Sequence, residues 1–186
     1  NQPMIIHVWK RAVEASLGKV VVATDSEEVN KIVIEEGGIS IVTDMKHQSG
    51  SDRIYEALIK IDPNNEIKYI INLQGDLPNI IGKNLEQVLN ILKSDQYDIG
   101  TLVAKINSDD DLNNSNIVKA LCNFNEEEIV TKAIDFTRTC DHSINEKLFH
   151  HIGIYSYRRS SLERFISLPQ SSRETLFKLE QLRALD

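Results

Sequence analysis

The segment Leu73-Gln74-Gly75-Asp76 places an acid three residues after the end of an apolar run that predicts a buried strand. A carboxylate in such a position can ligate Mg²⁺ while the metal bridges phosphate oxygens. Gly75 allows a ligand to approach the backbone closely, and Gln74 offers an amide that can hydrogen-bond a base or a sugar. The alternative for Asp76 is a turn residue that caps the following segment.

A second polar segment, residues 47–53 with the sequence HQSGSDR, comes directly before a predicted helix. Unpaired backbone donors and the helix dipole favour an anionic or polar ligand at such a point, where Ser49 and Gly50 lie. Capping of the helix by Ser49 and Ser51 is an explanation at least as good for the same residues. Arg53 opposes the dipole in the first helical turn, so we expect it to contact a neighbouring acid or a ligand phosphate.

Chemistry alone would not select the remaining candidates. Isolated arginines such as Arg138 are mostly solvated, and a lone histidine beside an apolar strand, such as His151, is usually structural. Glu180, Gln181 and Arg183 fit the exposed face of an amphipathic helix. The sequence has no P-loop, dinucleotide fingerprint, nucleophile elbow or zinc-ligand spacing.

Strand and helix patterns alternate along the chain and must position these residues. Strand patterns cover residues 19–23, 39–42, 69–73, 99–105, 117–121 and 151–157. Helix patterns cover residues 5–15, 27–36, 52–61, 84–92, 160–166 and 173–185. We therefore expect an α/β fold, a three-layer α/β/α arrangement with a mixed, mainly parallel sheet. Ligands of such sheets bind beyond the carboxyl ends of the strands, where both polar segments fall.

Composition limits the class of protein. The 186 residues suit one domain, residues 1–186, with a proper core. A net charge of -7 and the lack of any Lys/Arg block argue against a nucleic-acid partner. No apolar run is long enough to span a membrane, and the two cysteines fit a reduced, cytoplasmic protein.

Six segments occur in the order found in one enzyme family. They are PMIIHV (3–8), VATD (22–25), HQSGSDR (47–53), NLQGDLP (72–78), HIGIY (151–155) and LEQLRAL (179–185). Together they resemble the 3-deoxy-manno-octulosonate (Kdo) cytidylyltransferases, also called CMP-Kdo synthetases, of lipopolysaccharide assembly. The resemblance implies a Rossmann-like nucleotide-sugar transferase fold and transfer of CMP from CTP to Kdo. It also implies Mg²⁺ as cofactor, pyrophosphate as second product and a possible homodimer.

The resemblance also suggests roles for the candidate residues. Asp76 resembles the Mg²⁺ ligand of the family. The cytidine and phosphate side would be formed by Ser49, Gly50, Arg53, Gln74 and Gly75. The Kdo pocket would be lined by Arg138, His151, Glu180 and Gln181, with Arg138 and Asp76 as the catalytic residues.

The sequence also departs from the family pattern. Relative to it, we expect residues 1–186 to lack the N-terminal phosphate loop and the C-terminal segment with a second metal-binding aspartate, both needed for turnover. Leu77 replaces a glutamate of the usual QGDEP motif. Alternatives are a related acid-sugar cytidylyltransferase of the sialic acid type and an inactive nucleotide-sugar-binding module. A purely structural α/β interaction domain is the least supported.

Overall fold

The computed structural model describes residues 2–140, 143 and 147–186. The helices are α1 (Met4–Glu14), α2 (Glu27–Glu35), α3 (Gly50–Ile61), α4 (Gly82–Ile91), α5 (Asp109–Asn113), α6 (Arg159–Ser167), α7 (Ser172–Phe177) and a 3-10 helix (Glu180–Ala184). The strands are β1 (Val21–Thr24), β2 (Ile39–Val42), β3 (Tyr69–Leu73), β4 (Ile99–Lys105), β5 (Lys119–Cys122), β6 (Ala133–Thr137) and β7 (Leu148–Arg158).

The chain divides into two compact units. The first unit comprises Asn1–Gly100 and Ile154–Ile166, and the second comprises Thr101–Gly153 and Ser167–Asp186. Assignment of all 186 residues to a single nucleotidyltransferase domain stays a prediction. None of the helices in the described residues is long and apolar enough to cross a bilayer.

A β–α–β unit begins the sheet structure of the first unit. β1 and β2 pair in parallel, with Val21 opposite Ile39, and α2 forms the crossover that parallel pairing requires. The Ser26 hydroxyl caps α2 by accepting the Val29 N–H at 3.3 Å. The helix ends where Gly37 has a φ of +86°, a value that glycine adopts without steric cost. One hydrophobic cluster of this unit contains the buried residues Ile6, Val22 and Val33.

A second cluster of the first unit holds α3 next to β3. β3 pairs antiparallel with residues 154–158 of β7, with Asn72 opposite Tyr155. Leu58 of α3 packs with Tyr155, Tyr157 and Leu162 in this cluster. Burial of these large apolar side chains fixes α3 against the sheet, so that its first turn lies near the end of β3.

The second unit is built on antiparallel strands. β5 pairs with β6 on one side and with residues 148–150 of β7 on the other. The buried side chains of its core are Ala120, Cys122, Phe136, Leu179 and Leu182. Burial raises the pKa of the Cys122 thiol to about 11, so this cysteine is a small apolar core residue.

The mixed α/β class is confirmed, but a mainly parallel sheet is not. β1–β2 is a parallel pair, whereas β3–β7, β5–β6 and β5–β7 are antiparallel. The sequence analysis missed β6, because its residues alternate polar and apolar over only five positions beside a charged stretch. This short strand is one of the two antiparallel partners of β5 among the described strands.

The single helix expected over residues 173–185 was also wrong. α7 ends at Phe177, its C-cap residue Lys178 has a left-handed φ of 53°, and the chain continues as the 3-10 helix. This break turns Leu179 and Leu182 into the core. It also buries Arg183, which donates to both carboxylate oxygens of Glu174 at 2.8 and 2.5 Å. Arg183 therefore does not belong to an exposed helix face.

Candidate functional site

Ser49 caps α3 in the first unit. Its hydroxyl accepts the backbone N–H of Asp52 at 3.2 Å and donates to the Asp52 carboxylate at 2.7 Å. The capping alternative is therefore confirmed for Ser49, whereas Ser51 does not cap the helix: its Oγ lies 3.1 Å from Tyr157 Oη.

Gly50, the first residue of α3, lies against the amide of Gln74 at the end of β3. A Cβ atom on Gly50 would lie 3.2 Å from Gln74 Nε2, 3.7 Å from Gln74 Oε1 and 3.6 Å from Asn72 Nδ2. The absence of a side chain at Gly50 therefore leaves room for two amide groups to approach the helix N-terminus. We call this cluster of Gly50, Asn72 and Gln74 the amide cradle.

Asn72 is the residue of the amide cradle that the sequence analysis missed. Its side chain lies on β3, the residue is only 3% exposed, and Nδ2 has no hydrogen-bond partner among the described residues. A buried amide without a partner costs about 1–3 kcal/mol, so such groups usually serve a ligand or a bound water. The available signal was a polar residue in the middle of the apolar run Tyr69–Leu73.

Asp76 lies in a turn directly after β3. The backbone N–H of Leu77 donates to the Gln74 carbonyl at 3.3 Å, which leaves Gly75 and Asp76 at the two central positions. Asp76 is exposed, and its carboxylate makes no hydrogen bond or ion pair within the described part of the chain. The capping alternative for Asp76 is therefore not supported.

Neighbouring acids are already paired in the same unit. The Asp25 carboxylate accepts from Arg53 Nη2 at 2.8 Å, and Arg53 Nη1 donates to Thr43 Oγ1 at 2.7 Å. The acid partner expected for Arg53 is thus Asp25. Because Asp52 is engaged by Ser49, Asp76 differs from both acids in having its oxygens uncommitted.

An ion-pair network holds the loop before α3. His47 Nε2 contacts the Glu56 carboxylate, which also accepts from Lys60 Nζ at 2.5 Å and from the Asp44 N–H at 2.9 Å. The hydrogen bonds from Lys60, Asp44 and His47 lower the pKa of Glu56 to about 2. The network fixes the loop that leads into Ser49 and Gly50.

The described residues contain no group of three or more His, Cys, Asp or Glu side chains that would hold a metal ion alone. Mg²⁺ commonly uses one or two protein carboxylates and completes its shell with water and substrate phosphates. An exposed, uncommitted carboxylate such as that of Asp76 fits this mode of binding.

Arg138 lies just after β6 in the second unit. Its guanidinium donates to two backbone carbonyls, that of Phe177 from Nε and that of Ser115 from Nη1, both at 3.3 Å. No carboxylate pairs with it among the residues that the structure describes. Within the described residues, Arg138 is therefore held in place by neutral acceptors alone.

His151 is buried in β7. Its Nε2 lies 2.9 Å from Thr101 Oγ1, and its ring packs edge-on against Phe136 with the centroids 5.0 Å apart. Burial, with a smaller effect from His150, lowers the pKa of His151 to about 4. The imidazole is thus neutral at physiological pH and can act as a hydrogen-bonding group.

Glu180 and Gln181 begin the 3-10 helix, and both are half-buried. The neighbouring Leu179 and Leu182 lie in the same cluster as Phe136, and this packing anchors the 3-10 helix. The amide of Gln181 makes no hydrogen bond within the described residues. In the first unit, Gly50, next to Ser49, lies against Gln74. In the second unit, His151 packs against Phe136, whose hydrophobic cluster contains Leu179 and Leu182 on either side of Glu180 and Gln181, and Arg138 donates to the Phe177 carbonyl.

Comparisons with known proteins agree with the motifs. The 3-deoxy-manno-octulosonate cytidylyltransferase of Paramagnetospirillum magneticum is 45% identical over 186 residues, which is 100% of this chain and 76% of that protein. The protein of the same name from Bartonella bacilliformis is 46% identical with the same coverage. The structure of CMP:2-keto-3-deoxy-manno-octonic acid synthetase complexed with CTP matches with a TM-score of 0.84 and 33% identity. This match covers 100% of this chain and 75% of that one. Because residues 1–186 also match the family described as Cytidylyltransferase, the chain belongs to the cytidylyltransferase family.

Proposed function

We propose that the protein containing this chain transfers CMP from CTP to Kdo and releases pyrophosphate, in the service of lipopolysaccharide synthesis. Similarity over the whole of this chain, and over 76% of each relative, to proteins named for this reaction supports the substrates. One observation on the chain itself carries the proposal. The carboxylate of Asp76 has no partner among the described residues, and Asp76 lies in the turn that begins at Gln74 of the amide cradle.

In this reaction a hydroxyl of Kdo attacks the α-phosphorus of CTP. The new bond joins that oxygen to phosphorus and the hydroxyl proton is released to solvent, while the bond to the β-phosphate oxygen breaks and pyrophosphate leaves with the electron pair. Catalysis of such a step depends on in-line positioning and on stabilising charge at the phosphoryl oxygens. The amide cradle and the N-terminus of α3 supply donors for the nucleotide.

Mg²⁺ is the proposed cofactor, and Asp76 is the residue of this chain that would hold it. When bound, the ion would neutralise charge on the phosphates of CTP. Arg53 is paired with Asp25, so its proposed contribution is to fix the first turn of α3 and the Asp25 loop.

The second unit carries the groups proposed for the sugar. Kdo is an acid, and the guanidinium of Arg138, which contacts only neutral acceptors among the described residues, is suited to a carboxylate. Gln181 offers an amide for sugar hydroxyls, and Glu180 offers acceptors beside it. The neutral imidazole of His151 can exchange hydrogen bonds without adding a second cation.

The finer features of the fold, the cellular location and the oligomeric state are proposals as well. We propose a Rossmann-like, three-layer nucleotide-sugar transferase fold for this chain, because in the first unit α2 connects the parallel strands β1 and β2 by the β–α–β connection typical of such folds. A cytoplasmic location and a homodimer are further proposals. Cys122 and Cys140 are both free thiols and do not form a disulfide.

Pyrophosphate release by the intact protein tests the function. With CTP and Mg²⁺ we expect release only when Kdo is added. Release with N-acetylneuraminate and none with Kdo would assign a sialic acid type enzyme instead. Calorimetric binding of CTP without release with either sugar would identify an inactive nucleotide-binding module.

A further inference from the structure

Lys119 is a cation in the core of the second unit. It begins β5, pairs with Thr137 of β6 and His150 of β7, and has 0% relative exposure. Burial is the main cause of a lowered pKa for this ammonium group. Burying a cation is costly unless its donors find partners, whereas an apolar residue would fill the same volume at no such cost.

The donors of Lys119 are used on two backbone carbonyls. Lys119 Nζ donates to the carbonyl of Asn114 at 2.5 Å and to the carbonyl of Arg138 at 3.2 Å. The ammonium therefore links the loop after α5 to the end of β6.

The side chain of Arg138 contacts the same loop. Its Nη1 donates to the carbonyl of Ser115, the residue directly after Asn114. Two consecutive carbonyls of one loop thus bind two cations, and the backbone of the second cation is held by the first. Lys119, the loop and Arg138 form a closed ring of hydrogen bonds that fixes where the Arg138 guanidinium lies.

We propose that Lys119 is a positioning residue that holds Arg138 in the orientation needed to receive the carboxylate of the acid sugar. This inference rests on the proposed function. It assigns Lys119 no contact with substrate, and its effect passes through the backbone and loop contacts of Arg138.

The test replaces Lys119 with methionine, which keeps most of the volume and removes the donors. We expect the KM for Kdo to rise roughly tenfold, as for the loss of a charged hydrogen bond, while the KM for CTP stays within about twofold. Lys132→Met, at an exposed position just before β6, is the matched control and should change neither constant. If Lys119→Met does not fold, Lys119→Gln, whose shorter side chain keeps the two N–H donors of an amide but loses the charge, carries the same comparison.

A double-mutant cycle separates positioning from a general structural effect. In an Arg138→Met background, Lys119→Met should add little to the loss in KM for Kdo, because the residue through which it acts is gone. Equal rises in both KM values, or fully additive losses in the cycle, would overturn the proposal.

A readout that does not need turnover keeps this proposal distinct from the proposed function. The ¹H–¹⁵Nε NMR signal of Arg138, assigned with Arg138→Lys, should shift in Lys119→Met and not in Lys132→Met. An unchanged signal would overturn the positioning role even if the enzyme makes CMP-Kdo. If the signal shifts but the protein releases no pyrophosphate, Lys119 positions Arg138 and the proposed function is wrong.

Discussion

Gly50→Ala should weaken CTP binding while leaving the fold as stable as before or slightly more stable. The new Cβ would lie 3.2 Å from Gln74 Nε2 and 3.6 Å from Asn72 Nδ2. The first distance is shorter than an ordinary contact, so the flexible amide of Gln74 must move. The substitution therefore disturbs the amide cradle without removing a functional side chain.

The two effects have opposite signs. Alanine in place of glycine stabilises a helix interior by about 1 kcal/mol, and we expect about half of that at the first position of α3. For a chain of this size the gain raises Tm by about 1–2 °C. Loss of one neutral hydrogen bond to the nucleotide costs about 1 kcal/mol, which weakens CTP binding about fivefold.

Gly82→Ala is the matched control for this substitution. Gly82 is also the first residue of a helix in the first unit, and a Cβ there would meet only Ala15 at the ordinary distance of 3.4 Å. Titration calorimetry with CTP and thermal unfolding should be measured for both variants. A Kd for CTP in Gly50→Ala equal to that of Gly82→Ala would refute the placement of the nucleotide at the amide cradle.

Two further substitutions address the second unit. Gln181→Ala should raise the KM for Kdo more than the KM for CTP, because its uncommitted amide is proposed to contact the sugar; equal changes in steady-state kinetics would argue against that placement. His151→Gln should flatten the pH dependence of stability. The pKa of His151 is about 4 in the folded protein and 6.5 in the unfolded chain. As the pH falls from 6.5 to 4, this side chain therefore binds a proton in the unfolded chain and not in the folded protein. The wild type should thus lose about 3 kcal/mol more than the variant over that range in denaturant titrations, and parallel curves would contradict the burial argument.

Regular elements with strong local signals were predictable from the sequence. The bounds of β2, β3 and β4 agree with the strand patterns, because apolar, β-branched residues bounded by turns specify such strands locally. Capping is also a short-range effect: Ser26 and Ser49 cap α2 and α3, although α3 begins at Gly50, two residues before the predicted start at residue 52.

Features that depend on distant contacts were not predictable. Pairing of β5 with β6 and β7 brings together segments whose relation no local pattern encodes. The break at Lys178 results from core packing of Leu179 and Leu182, which overrides the helical propensity of the segment.

The residues of the candidate site fall into the same two groups, those specified locally and those that depend on distant contacts. Local sequence located Asp76, Gly50 and Gln74 by their positions at element ends. By contrast, the unpartnered amide of Asn72 and the buried ammonium of Lys119 emerged only from the folded environment. A polar residue within a strand indicates a binding site only once its neighbours in the folded chain are known.

The most direct test of the central claim is Mg²⁺-dependent pyrophosphate release from CTP and Kdo by Asp76→Asn. Because Asp76 is exposed and its carboxylate has no partner among the described residues, the variant should fold with unchanged stability. We expect its turnover to be abolished, whereas Glu86→Gln, at an exposed position on α4, should release pyrophosphate at the wild-type rate. Wild-type turnover in Asp76→Asn would contradict the assignment of this carboxylate to the catalytic metal.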